Sequence, residues 1–78
     1  MEKLVRREAA ARELSELLSR REIEVVRGVA QGLRNRQITE RLGIAEGTVK
    51  LHLHRVYTKL AVDGRTALLA KLQQKSFF

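Results

Sequence analysis

Residues 35–60 read NRQITERLGIAEGTVKLHLHRVYTKL, and the apolar spacing of this stretch decides the fold. At about 100° per residue, Val49, Leu53, Val56, Tyr57 and Leu60 share one face of a helix running from Glu46 to Leu60. That face is expected to be buried. Opposite it stand Leu51, His54, Arg55 and Thr58, flanked by Thr48, Lys50 and Lys59, with no acidic residue after Glu46 to neutralise them. A face of this kind suits an anionic partner, and the bland alternative is a solvated surface. Upstream, Ile38 and Leu42 belong to a shorter helix with Asn35 as its candidate N-cap, which Gly43 ends by permitting left-handed backbone.

Working outward, the segment SRRE places Ser19 three residues before Glu22, the spacing of a capping box. The helix it opens presents Ile23, Val26, Ala30 and Leu33 on one face, widened by Val25 and Val29, with Gly32 as a stop. Before it, EKLVRREAAARELSELL carries Leu4, Ala11, Leu14 and Leu18 at a/d-like spacing, which predicts an amphipathic linker helix over residues 1–17. After the long helix, Asp63 and Gly64 mark a turn, and RTALLAKLQQK forms the last helix. Leu68 and Leu69 point about 100° apart there, so one can enter the core while the other faces a partner.

The chain of 78 residues has no proline and no strand-length alternation, which predicts one small all-α domain. The absence of cysteine excludes disulfides and thiolate metal sites and fits a cytoplasmic location. No apolar run is long enough to span a membrane. The formal charge of +7 is unevenly spread: residues 1–18 balance four basic against four acidic groups, and residues 19–78 hold twelve against five. A basic domain beside a neutral extension is the pattern of a nucleic-acid binder.

A short capped helix, a glycine turn, an inward Ile44 and a longer helix make the outline of a helix-turn-helix, an outline shared by many helical hairpins. The details narrow it. The run LSRREIEVVRGVAQGLRNRQITERLGIAEGTVKLHLHRVYTKLAV, followed by RT, closely resembles the DNA-binding domain of the LuxR/FixJ (GerE-like) transcriptional regulators, in register over about residues 18–72. The resemblance implies a four-helix domain over residues 18–78 whose third helix, about 46–60, enters the major groove of duplex DNA. It further implies base contacts from Lys50, Leu51 and His54, and phosphate contacts from Thr48, Arg34, Asn35 and Arg36. His52 falls where family members touch DNA but at the edge of the apolar face, so it is either a half-buried structural or phosphate-contacting histidine or a base reader, and Arg55 on the cationic face is a further candidate phosphate contact. The last helix is expected to join two copies through Leu69 and Leu72, with RNA polymerase as a further candidate partner. Three positions depart from the family pattern: Ala45 where a capping serine is common, Ala61 where glycine is common, and Gly64 in place of a bulkier polar residue. The first two predict an uncapped helix start and a strained helix end, at about 1 kcal/mol each.

Competing readings are weaker. His52 and His54 diverge by about 200° on a helix, whereas chelating pairs need i, i+3 or i, i+4 spacing, so no metal and no cofactor is expected. Leu51 in the middle of a polar face is either a harmless surface leucine or a contact for a thymine methyl, and its cationic neighbours favour the second. Glu22 has a capping role, Glu24 lies on another face, and no nucleophile and base stand together, so catalysis is not expected. A membrane-surface helix would keep its apolar stripe free, and an RNA binder would expose aromatics. The expected protein is therefore the effector domain of a response-regulator or quorum-sensing type regulator, with residues 2–17 as the linker remnant. A short stand-alone regulator, or a basic protein or RNA interaction module, is the alternative.

Overall fold

A computed structural model describes Leu14 and residues 16–74, and the rest of the predicted linker helix and the SFF tail lie outside the described residues. Among the described residues, four complete helices follow one another: α1 (Arg20–Ala30), α2 (Asn35–Leu42), α3 (Glu46–Leu60) and α4 (Arg65–Gln74). Leu14, Glu16 and Leu17 are also helical. The all-α expectation holds: no strand occurs among the described residues.

The α1 start is the capping box that SRRE predicts. The Glu22 N–H donates to Ser19 Oγ at 3.2 Å and the Ser19 N–H donates to Glu22 Oε1 at 2.7 Å. Its buried face differs from expectation. Val25, Val26 and Val29 are fully buried, while Ile23, Ala30 and Leu33 are only half-buried at its margins. The stripe is rotated toward Val25 because α1 packs most extensively against α3 and touches α4 and α2 as well, so neighbours surround more than one narrow seam.

Gly28 shows how closely α1 and α2 approach. A Cβ there would come within 2.8 Å of Ile38 Cγ1, a distance that real side chains essentially never show, so the crossing requires glycine. Gly32, at φ 81°, then lets the chain leave α1, and the Leu33 N–H closes back on the Gly28 carbonyl at 3.0 Å. At α2 the cap position is Arg34, and Asn35 is the first helical residue; the Asn35 side chain is drawn away by Arg65 and caps nothing. Gly43 ends α2 in the left-handed region as predicted, at φ 66°.

The long helix behaves as its periodicity requires. Val49, Leu53, Val56 and Leu60 are buried, and Tyr57 is half-buried. With Leu14, Leu18, Ile38, Leu68 and Leu72 they complete a single core with the three α1 valines. Burial of this apolar area supplies the main drive to fold. Leu68 enters the core and Leu69 remains half-buried, resolving the pair that diverges on α4. Leu72 departs from expectation: at 4% exposed it is committed to the core of its own chain and only edges the groove beside Leu69.

Candidate nucleic-acid interface

The surface built by α2 and α3 begins with two helices joined by only Gly43, Ile44 and Ala45. Ile44 is half-buried against the core, and this fixes the turn. With Val49 and Leu53 inward, α3 presents Glu46, Gly47, Lys50, Leu51, His54, Arg55 and Thr58 outward, all exposed. Leu51 is 48% exposed, one of the few large apolar side chains left in water. Thr58 turns its hydroxyl back onto its own helix, donating to the His54 carbonyl at 3.1 Å.

The start of α3 carries no side-chain cap, because Ala45 has no acceptor to offer. The amides of Glu46 and Gly47 are thereby left for an outside acceptor, with half-buried Thr48 beside them, whose own N–H donates to the Ala45 carbonyl at 3.0 Å. Arg34 and Arg36 are exposed at the start of α2, whose first turn holds no acidic residue. Arg36 lies 3.7 Å from Glu40, but with side chains 87% and 71% exposed this pair is readily exchanged for a stronger anion.

Two predicted contact residues are constrained by the fold around them. Asn35, half-buried, accepts at Oδ1 from Arg65 Nη1 at 2.8 Å, which commits its oxygen and leaves the amide nitrogen as its donor to an outside acceptor. His52 is half-buried, and its Nδ1 is enclosed with no hydrogen-bond partner among the described residues. Lys59, which periodicity puts at the flank of the outer face, instead reaches back to α1 and donates to Glu22 Oε1 at 2.6 Å. Burial works to raise the carboxyl of Glu22, but the Lys59 ammonium and the Ser19 amide and hydroxyl together hold it below its ordinary value.

Sequence reasoning does not reach Arg65, Lys59 or Lys71. Arg65 holds the α1–α2 connector, and Lys71 caps α3 by donating to the Leu60 carbonyl at 2.6 Å. Each partner lies ten or more residues away in the chain. The available hint is Glu22, a carboxylate set among valines that needs a cation once buried.

The surface therefore consists of a short helix with basic start, a three-residue turn and a long helix whose outer side is cationic around one exposed leucine. The family described as bacterial regulatory proteins of the luxR family (GerE) matches residues 16–72, most of the chain. The chain belongs to this family. It is a non-enzymatic regulatory domain of the luxR type. Similar proteins include the transcriptional regulatory protein YxjL of Bacillus subtilis, 46% identical over 72% of this chain and 26% of its own length. LnrK of the same organism, a transcriptional regulatory protein, is 51% identical over 63% of this chain and 22% of its own length. The nitrate/nitrite response regulator protein NarP of Escherichia coli is 43% identical over 76% and 28%. The chain thus spans about a quarter of the length of these luxR-type relatives. No helix among the described residues is long and apolar enough to cross a membrane.

Proposed function

We propose that this luxR-type domain binds duplex DNA in a sequence-dependent way, with α3 in the major groove, as the effector module of a response-regulator type transcriptional regulator. The observation that carries the proposal is the outer face of α3, where Lys50, Leu51 and His54 are exposed together and none takes part in the core. These three are assigned to base edges, Leu51 to a thymine methyl. The phosphate contacts are assigned to Thr48, Arg34, Arg36 and Arg55, with His52 acting through the ring nitrogen that is not enclosed and Asn35 through its amide nitrogen. The response-regulator assignment is supported by the names of relatives such as NarP. The α4 face around Leu69 is assigned to a second copy, and RNA polymerase remains a candidate partner on promoter DNA.

Duplex binding measured against salt, and across a set of operator variants selected from a random pool, tests the proposal. The logarithm of the association constant should fall with the logarithm of salt concentration at roughly −0.9 per phosphate contact. Thr48→Ala should weaken all sequences alike, whereas Leu51→Ala should reorder the preferred sequences, by about 1 to 3 kcal/mol at the affected base, without changing the salt slope. An unchanged ranking in Leu51→Ala removes the thymine-methyl contact, and affinity indifferent to salt removes the groove-binding reading altogether.

A further inference from the structure

The connector between α1 and α2 has all four of its backbone N–H groups and two of its carbonyls committed. The Gln31 N–H donates to Arg27 O at 3.1 Å, Gly32 to Val29 O at 2.9 Å and Leu33 to Gly28 O at 3.0 Å. The Arg34 N–H donates to Gln37 Oε1 at 2.8 Å, and the Arg34 carbonyl accepts from Ile38 at 3.0 Å. The carbonyl of Leu33 is taken by Nη2 of Arg65, from the first residue of α4. The other end of the same guanidinium, Nη1, donates to Asn35 Oδ1 at 2.8 Å.

A guanidinium has donors and no acceptor. The Asn35 carboxamide must therefore turn its oxygen to Arg65 and its amide nitrogen away, and this hydrogen-bond logic fixes the flip. We infer that Arg65 is a positioning residue for DNA binding: by clamping Leu33 and Asn35 together it presents Asn35 Nδ2 as a donor to a backbone phosphate beside Arg34 and Arg36. The inference rests on the phosphate-gripping role proposed above for residues 34–36. Because the carboxamide is fixed by the fold, its rotational freedom is lost on folding and not on binding. A planar fork is needed for this clamp, since two acceptors on different residues are met in one geometry, which a lysine ammonium does not reproduce.

The test is a double-mutant cycle on the 78-residue chain, with duplex affinity read at fixed salt well below each variant's melting temperature. Asn35→Ala and Arg65→Met should each weaken binding about tenfold. The double variant should bind within about twofold of Asn35→Ala alone, because Arg65 has nothing left to position. Losses that multiply would overturn the inference, since Arg65 would then be acting by its own charge or through the fold at large. Asn35→Asp provides the second arm: it keeps an oxygen for Arg65, so its melting temperature should stay near the parent's while duplex binding falls at least as far as in Asn35→Ala. Parent-like binding by Asn35→Asp would also overturn it. A parent chain that binds no duplex brings down the functional reading and this inference together; a parent that binds with an additive cycle removes the role of Arg65 alone.

Discussion

Ala61 occupies the one left-handed position among the described residues that is not filled by glycine, at φ 54° and ψ 47°. The backbone has no freedom to relax there. Its N–H closes on the Thr58 carbonyl at 3.3 Å and the next residue, Val62, closes on Tyr57 at 2.9 Å, so the reversal that brings α4 back toward α1 depends on this conformation. A Cβ in the left-handed region costs about 1 kcal/mol. Ala61→Gly should therefore stabilise the domain by about that amount, seen as a higher urea midpoint with an unchanged slope. A midpoint at or below the parent's would show that the strain is relieved elsewhere. This position was legible in the sequence as a departure from a glycine, although the hydrogen bonds that enforce it were not.

At the scale of elements, α1 and α3 are tied by an ion pair as well as by their valines. Glu22 is 2% exposed, and its Lys59 partner, at 40%, reaches it across the helix interface. The carboxyl is held below its ordinary value of 4.5, so the folded state favours the charged form more than the unfolded chain does. Stability from this source is fully present above the unfolded value and is lost as pH falls through the folded one. Glu22→Gln should accordingly be less stable than the parent at neutral pH, by about 1 to 3 kcal/mol, a range kept modest because half-exposed Lys59 is partly screened. The difference should shrink as pH drops below about 4.5. Thermal melts of both proteins across this range check the sign, and a gap that widens toward acid would refute it. Periodicity gave the extent of both helices well, but not this tie, because a lysine on a helix flank reads as solvated until the neighbouring helix is in place.

For the whole molecule, the division of α4 between core and surface bears on the proposed pairing with a second copy. Leu68 and Leu72 are used inside the chain, leaving Leu69 half-buried beside a shallow groove lined by Ala30, Leu69, Leu72 and Gln73. Two domains on half-sites about one helical turn apart, roughly 10 base pairs, would meet through such a face. Leu69→Lys should retain helicity by circular dichroism and lose cooperative occupancy of the second half-site. Leu72→Lys should instead unfold the domain, since it puts an unpaired charge into the core. Cooperative binding that survives in a folded Leu69→Lys protein would place any second-copy contact elsewhere.

The sequence by itself determined the helices, the capping box at Ser19, the left-handed Gly43 and the outward direction of Lys50, Leu51 and His54, because each follows from residues within one or two turns of one another. Only the tertiary structure decided that Leu72 is internal, that Asn35 is clamped and no cap, that Lys59 serves Glu22, and that Gly28 is required by a helix crossing. Those outcomes depend on partners ten to 37 residues distant, from Gly28 and Ile38 to Glu22 and Lys59, brought together when apolar faces close on one another. Hydrophobic periodicity specifies which side of a helix turns inward, whereas the identity of the neighbour it meets is fixed by the packing of four helices at once.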